Sequence, residues 1–191
     1  MSQTSARLSV DLVANKAARK YSRSEQLRRV LWSIGRWLLI LSPRPFFGWR
    51  RGVLRLFGAK VGVHVNVYPS SQFYMPWNVE LEDWSAVGEN AFIYSLGRVR
   101  IGYRATVSYR AHVCAGTHDF SQASLPLLKP PVTIGADCWI GTDAFIGPGV
   151  TLGEGCIVGA RAVVVRDVEP MAVVAGNPAK RVSWRRGPTK K

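Results

Sequence analysis

The chain is poor in cysteine, histidine and acidic side chains, and it has no long hydrophobic run. Its 191 residues hold three cysteines and three histidines. Cys114, Cys138 and Cys156 are an odd number with no CxxC, CxxH or HxxxH pairing, which argues against a disulfide framework and a structural zinc site, so no metal is expected. No stretch of about 18 apolar residues occurs, so a transmembrane helix is not expected. The first residues show no compact signal peptide with a small-residue cleavage site, and the expected setting is the reducing cytoplasm. Acids number 12 against 26 Lys and Arg, for a net charge of +14, beside 47% hydrophobic residues, 18 Gly and 11 Pro. That mixture excludes an acidic disordered tail, a collagen and a coiled coil. The length predicts one domain, two at most.

The charge is uneven. Residues 1–60 carry a net +11, residues 61–179 a net −3, and residues 180–191 a net +6. Basic ends suit anionic lipid, nucleic acid or a phosphorylated ligand. A solvated, frayed tail accounts equally well for Arg185, Arg186, Lys190 and Lys191.

An internal repeat dominates the second half. Six consecutive hexads start at Ile134, Ile140, Ile146, Leu152, Val158 and Val164. The first five have glycine in second place: Gly135, Gly141, Gly147, Gly153 and Gly159. The fifth place is small or β-branched throughout: Cys138, Ala144, Val150, Cys156, Ala162, Val168. The register recurs upstream with slips, at Val61, Val87, Ile93, Ile101, Val107 and Val113, and it shifts at the two-residue step from Val99 to Ile101. Period six fits neither an amphipathic helix nor a simple alternating strand. It fits one short strand and one turn per hexad, three hexads making one coil of a triangular solenoid. The aliphatic first place is expected to point inward and stack on the residue three hexads away. The small fifth place fits the narrow interior near a corner, and the second-place glycine is read as a source of unusual backbone torsions. Cys138 and Cys156 are read as small buried apolar groups.

These hexads, with the segments VGENAFIYSLGRVRIG, AGTHDF, WIGTDAFIGPGVTLGEG and VVAGNPAKRV, resemble the hexapeptide-repeat acyltransferases over roughly residues 53–184. Within them the chain is similar to the sugar O-acetyltransferases, most of all those of the colanic acid and exopolysaccharide type. The resemblance implies an all-β fold, a left-handed parallel β-helix of hexapeptide repeats, with N-terminal helical segments and a short C-terminal tail. It implies acetyl-CoA as co-substrate, a glycan or lipid-linked sugar acceptor, and a homotrimer with active sites between subunits.

Acetyl transfer from a thioester to a hydroxyl needs a base, an oxyanion donor and a groove for the coenzyme. His118 ends the hexad VCAGTH and opens the loop 119–131 between polar Thr117 and Asp119, a rim position from which a neutral imidazole can act near neutral pH. The AGTHD match implies that it is the catalytic base. Asp119 is read as orienting the imidazole or binding the acceptor, with a solvated loop start as the alternative. Where galactoside-type members carry an acceptor-binding asparagine, this chain has Tyr94 or Ser95. On the coenzyme side the resemblance assigns Trp139 to the groove wall, Thr142 to the thioester, Ala160 to the pantetheine arm, Val165 and Arg166 to the nucleotide end, and Lys180 to the ribose phosphate, with Arg185 assisting. His64 and His112 are read as structural.

Residues 1–52 form the N-terminal part. Residues 1–23 are expected to be a flexible basic lead-in, and a helix is expected from Ser24 to about Leu41, ended by Ser42-Pro43-Arg44-Pro45. A second helical segment covers Phe47–Phe57. Both resemble interfacial amphipathic helices: they cap the solenoid's open end, touch the inner surface of the membrane, or do both. Residues 185–191 form the basic tail. The reading is an acetyl-CoA-dependent sugar O-acetyltransferase of exopolysaccharide or lipid-linked oligosaccharide synthesis. The alternatives are an amine-acetylating enzyme of the same fold and a non-catalytic basic solenoid. Nucleic acid is not expected as a partner, because the hexads do not interleave aromatic and basic residues. A metal-dependent hydratase ranks last, because the three histidines lack the spacing for a shared zinc.

Overall fold

The computed structural model describes residues 9–186; residues 1–8 and 187–191, with the tail's Lys190 and Lys191, lie outside the described residues. From Lys60 the chain winds as a parallel β-helix with three faces. The first face stacks Lys60–Val61, Val79–Leu81, Val99–Ile101, Val132–Ile134 and Thr151–Leu152. The second stacks Asn66–Val67, Ala86–Val87, Thr106–Val107, Trp139–Ile140, Ile157–Val158 and Ala172–Ala175, and the antiparallel strand Lys180–Trp184 closes it. The third stacks Gln72–Phe73, Phe92–Tyr94, His112–Cys114, Phe145–Ile146 and Val163–Val164.

The register is the one the hexads predict. Ile134 faces Leu152, Ile140 faces Val158 and Ile146 faces Val164, and all six are buried. Each such side chain contributes about 1.5–3 kcal/mol by leaving water. The small fifth-place residues Cys138, Ala144, Val150, Cys156 and Ala162 are buried beside them. Upstream, Lys60 faces Glu80 and Glu80 faces Arg100, so these coils are two residues longer than the one that sets Thr133 against Thr151. Val99 and Ile101 both point inward from one strand. The apparent phase shift between them is therefore ordinary strand alternation.

The second-place glycines play a different part from the one expected. None has a left-handed torsion. A Cβ on Gly141 would lie 2.7 Å from the amide nitrogen of Ala160, and one on Gly135 would lie 2.8 Å from that of Glu154. These glycines are required by the close approach of the next coil. The left-handed torsions fall on the fourth place: Asp137, Asp143, Gly149, Gly155 and Arg161 have φ of 56°, 58°, 78°, 71° and 58°.

Four helices precede the solenoid: α1 (Leu12–Ala17), α2 (Arg23–Gly35), α3 (Trp37–Ile40) and α4 (Phe47–Leu56). Ser22 and Glu25 form a capping box, so α2 starts just before the expected Ser24. Gly35 ends α2 under the ring of Phe57, where a Cβ would come within 2.5 Å of Cε2. The chain bends there, which splits the expected single helix into α2 and α3. α4 crosses the expected boundary at 52, and the first strand starts at Lys60. Trp32, Leu39, Val53 and Leu54 join the solenoid's core, and the Trp32 indole donates to the Phe73 carbonyl at 2.7 Å. Arg50 is fully buried and has no carboxylate partner among the described residues. Its guanidinium donates to the Ser42 hydroxyl at 2.8 Å and to the carbonyls of Pro43, Arg44 and Val67, tying α4, the turn before it and the first coil together. Capping is thus realised. The outer sides of the same helices leave Leu27, Leu31, Ile34, Trp37, Leu41 and Leu56 exposed.

Candidate active site

The loop that His118 opens is a β-hairpin inserted at the edge between the third and first faces. Thr117–His118 pairs antiparallel with Leu127–Leu128. The amide of Asp119 donates to the Pro126 carbonyl at 2.9 Å. The imidazole of His118 is exposed, and its Nδ1 lies 2.6 Å from the carbonyl oxygen of Leu125. A carbonyl can only accept, so Nδ1 carries the hydrogen and the Nε2 lone pair is left free. The orienting group is therefore a backbone carbonyl. Asp119 does not orient the ring: one carboxylate oxygen accepts from the amide and hydroxyl of Ser121 at 3.0 and 2.6 Å, and the other from the Gln122 side chain at 2.8 Å. Those bonds hold its carboxyl below the usual range and brace the hairpin's tip, as Asp does in many short loops.

Below the hairpin, the candidate acceptor residues part company. Ser95 is fully buried; its hydroxyl donates to the Met75 carbonyl at 2.9 Å and accepts from the Met75 amide at 3.0 Å. It staples two coils and offers nothing outward. Tyr94 is half-buried on the third face beside Tyr74, with ring centroids 4.8 Å apart. Burial raises its phenol pKa and, with the hydrogen bond to Tyr74, pushes that of Tyr21 up to about 12. Arg29 donates to the Tyr74 hydroxyl at 2.9 Å and stacks on the ring of Tyr21. The start of α2 is thereby clamped to the corner from which the hairpin departs.

The coenzyme-side residues fall into two groups: Thr142, Ala160 and Trp139 sit at the edge between the second and third faces, while Val165 and Arg166 follow Val163–Val164 at the edge between the third and first, further along the solenoid than the hairpin. Thr142 and Ala160 occupy the same turn between the second and third faces in successive coils, and the Arg161 amide donates to the Thr142 carbonyl at 2.9 Å. Trp139 stands exposed on the second face beside this turn, its indole donating to the Ser108 hydroxyl at 2.9 Å. Val165, Arg166 and Lys180 line one groove of about 590 Å³ with Arg181, Asp167 and Glu169. Two cations of this groove carry no ion pair among the described residues: the Arg181–Glu169 pair, at 3.7 Å, leaves Arg166 and Lys180 free. Arg185 is not part of the groove. Its guanidinium donates to the carbonyl of Asp137 at 2.6 Å, fastening the final strand to the solenoid.

The remaining candidates are structural, as read from sequence. His64 stacks on Trp84 at 4.2 Å. His112 lies between Phe92 and Phe145, its Nε2 buried without a partner, and burial lowers its pKa. The thiols of Cys138 and Cys156 reach the backbone carbonyls of Gly153 at 3.0 Å and Glu169 at 2.9 Å. Among the described residues no group of three or more His, Cys, Asp or Glu is placed to hold a metal. The contact that sequence reasoning missed is that of α1 with the hairpin. The Asp11 amide donates to the Ala123 carbonyl at 2.8 Å, and Asn15 reaches the carbonyls of Ser124 and Leu125. No local signal marks a bond made across more than a hundred residues.

Comparison with known proteins places the chain. The family model described as bacterial transferase hexapeptide (six repeats) matches residues 131–166. A protein of Escherichia coli K12 named a colanic acid biosynthesis acetyltransferase, WcaF, is 38% identical over 148 residues, which cover 78% of this chain and 81% of that protein. Among solved structures, a maltose O-acetyltransferase from Clostridium difficile 630 superposes with a TM-score of 0.80 at 22% identity, covering 87% of this chain and 90% of that one. A hexapeptide-repeat acetyltransferase from Vibrio cholerae, solved with acetyl coenzyme A, has a TM-score of 0.80 at 20% identity, covering 88% and 93%.

Proposed function

The chain belongs to the hexapeptide-repeat acetyltransferases, and on that premise we propose that it moves an acetyl group from acetyl-CoA to a sugar hydroxyl of an exopolysaccharide or lipid-linked oligosaccharide. The observation that carries the reading is the bond between His118 Nδ1 and the Leu125 carbonyl. It leaves Nε2 as the base. Nε2 takes the proton as the acceptor oxygen attacks the thioester carbonyl; the tetrahedral intermediate collapses, its C–S bond breaks, and the imidazolium returns the proton to the departing CoA sulfur. Thr142 lies at the thioester and Ala160 along the pantetheine arm, Trp139 forms the wall, and Val165, Arg166 and Lys180 take the nucleotide end, where free cations suit phosphates. Tyr94 and the hairpin from Asp119 onward face the acceptor.

A homotrimer completes this site. The hairpin leaves the edge between the third and first faces, whereas Thr142 and Ala160 line the edge between the second and third. Copies packed around a threefold axis bring one kind of edge against the other, closing a cleft between each pair. The exposed apolar sides of α2 to α4, set among arginines, support peripheral contact with the cytoplasmic surface of the inner membrane. No helix among the described residues is long and apolar enough to cross it.

The test is labelled acetyl-CoA incubated with the protein and with glycolipid and polysaccharide fractions. Label that alkali releases marks an O-ester and supports the proposal. Label stable to alkali marks an amide and overturns it in favour of an amine acceptor.

A further inference from the structure

We propose that Asn15, on α1, is a positioning residue for His118 and acts through the carbonyl of Leu125. The inference rests on His118 being the base. The Asn15 amide donates to the Leu125 carbonyl at 2.9 Å and to the Ser124 carbonyl at 2.6 Å. The same Leu125 oxygen accepts from His118 Nδ1 at 2.6 Å. A carbonyl has two lone pairs, and here one takes the imidazole and the other takes Asn15. The direction of the amide is fixed as well: the Lys20 ammonium, which can only donate, sits 2.7 Å from Asn15 Oδ1. With the Asp11 amide on the Ala123 carbonyl at 2.8 Å, three consecutive carbonyls in the turn of the hairpin, just before its returning strand Leu127–Leu128, receive donors from α1 and its cap.

The hairpin needs this support where it turns. Leu125 has φ +46°, a left-handed conformation that a branched side chain adopts only when its surroundings hold it. Asn15 bonds to both sides of that residue's peptide plane neighbours, at Ser124 and at Leu125. The hairpin ties the Leu125 amide to the Gln122 carbonyl at 3.0 Å and the Pro126 carbonyl to the Asp119 amide at 2.9 Å, but neither bond reaches the Leu125 oxygen; without Asn15 that carbonyl loses the second donor that fixes its direction toward the imidazole, and both carboxylate oxygens of Asp119 are occupied by Ser121 and Gln122. The ring then loses its tautomer preference and its aim.

The experiment compares wild type, Asn15→Ala, the isosteric Asn15→Asp, His118→Ala and the double variant Asn15→Ala with His118→Ala. The readout is thiol release from acetyl-CoA in the presence of the glycan fraction that accepts label. The expected result for either Asn15 variant is a kcat lowered about ten- to a hundredfold, with KM for acetyl-CoA unchanged. The double variant is expected to match His118→Ala. A full kcat in Asn15→Asp overturns the role of Asn15 alone. So does a loss that repeats undiminished in the His118→Ala background, since the two residues then act independently. If His118→Ala itself keeps full activity, the reading of the base has failed, and this inference fails with it.

Discussion

Two glycines of one repeat test the packing account, because the structure assigns them different reasons. A Cβ at Gly141 would lie 2.7 Å from both the Ala160 nitrogen and the Val158 oxygen, and 2.9 Å from the Gly159 carbonyl carbon. All three are backbone and cannot swing aside. Restoring ordinary contact of about 3.5 Å requires the two coils to part by roughly 0.7 Å at that corner. That movement breaks good geometry in the bonds from the Gly141 amide to Val158, now 2.8 Å, and from the Arg161 amide to Thr142, now 2.9 Å. Overpacking of about 1–3 kcal/mol and two weakened bonds of about 0.5–1.5 kcal/mol each give a loss of about 2–6 kcal/mol for Gly141→Ala. Gly149 has φ +78°, and its added Cβ would meet only Pro130 at 3.6 Å. Its cost is torsional, about 1–2 kcal/mol for alanine. Asparagine visits that torsion readily, as Asn90 does at φ 57° in the fourth place of its own hexad. Gly149→Asn should therefore recover most of the loss, whereas Gly141→Asn should be no better than Gly141→Ala. Urea unfolding at one fixed protein concentration measures all four. The reasoning is refuted if Gly141→Ala is the milder alanine substitution, or if asparagine rescues position 141.

Burial keeps His112 below its ordinary pKa of 6.5, so the folded form stays neutral where the unfolded chain takes up a proton. Above about pH 6.5 this makes no difference to stability; as pH falls below 6.5 stability is lost, by up to about 1.4 kcal/mol per pH unit, until the folded form protonates. His112→Phe, between Phe92 and Phe145, should remove that part of the acid sensitivity, and identical unfolding midpoints for both proteins across pH 5 to 6.5 would exclude it. Replacing Arg166 and Lys180 with alanine should raise KM for acetyl-CoA several-fold, less at high salt, while leaving an acetyl-pantetheine donor unaffected; equal effects on both donors would place these cations elsewhere. Leu31→Asp with Trp37→Asp should abolish sedimentation with phosphatidylglycerol vesicles and leave the fold intact, since both side chains are exposed. Unchanged sedimentation would remove the helical face from any membrane contact.

The solenoid was legible because its core is periodic in the chain. Each inward residue, such as Ile134 over Leu152, is specified by its own hexad and repeated in the next. The reason for the second-place glycine was not legible: a close approach such as that of Gly141 to Ala160 involves the following coil, and the sequence shows the glycine without the neighbour. The site divides in the same way. The groove joining Val165, Arg166 and Lys180 is built from one turn and the closing strand, so residues matched one by one lie together in the structure. The partners of single polar side chains were less readable. Ser95 turned inward to Met75, Asp119 closed on its own turn, and the Leu125 backbone took the role suggested for that carboxylate. The segment expected to be a flexible lead-in holds α1, whose distant attachments through Asp11 and Asn15 have no periodic signature.

The account turns on His118 as the base for acetyl transfer, and the measurement that reaches it most directly is a single-turnover experiment on His118→Ala with acetyl-CoA affinity determined in parallel. Acetyl-CoA affinity should match wild type, because the imidazole stands on a different edge from Thr142, Ala160 and Trp139 and is not among the residues lining the groove of Val165, Arg166 and Lys180, while transfer of label to glycan should slow by about 10²- to 10⁴-fold. Transfer at the wild-type rate in His118→Ala would contradict the central claim.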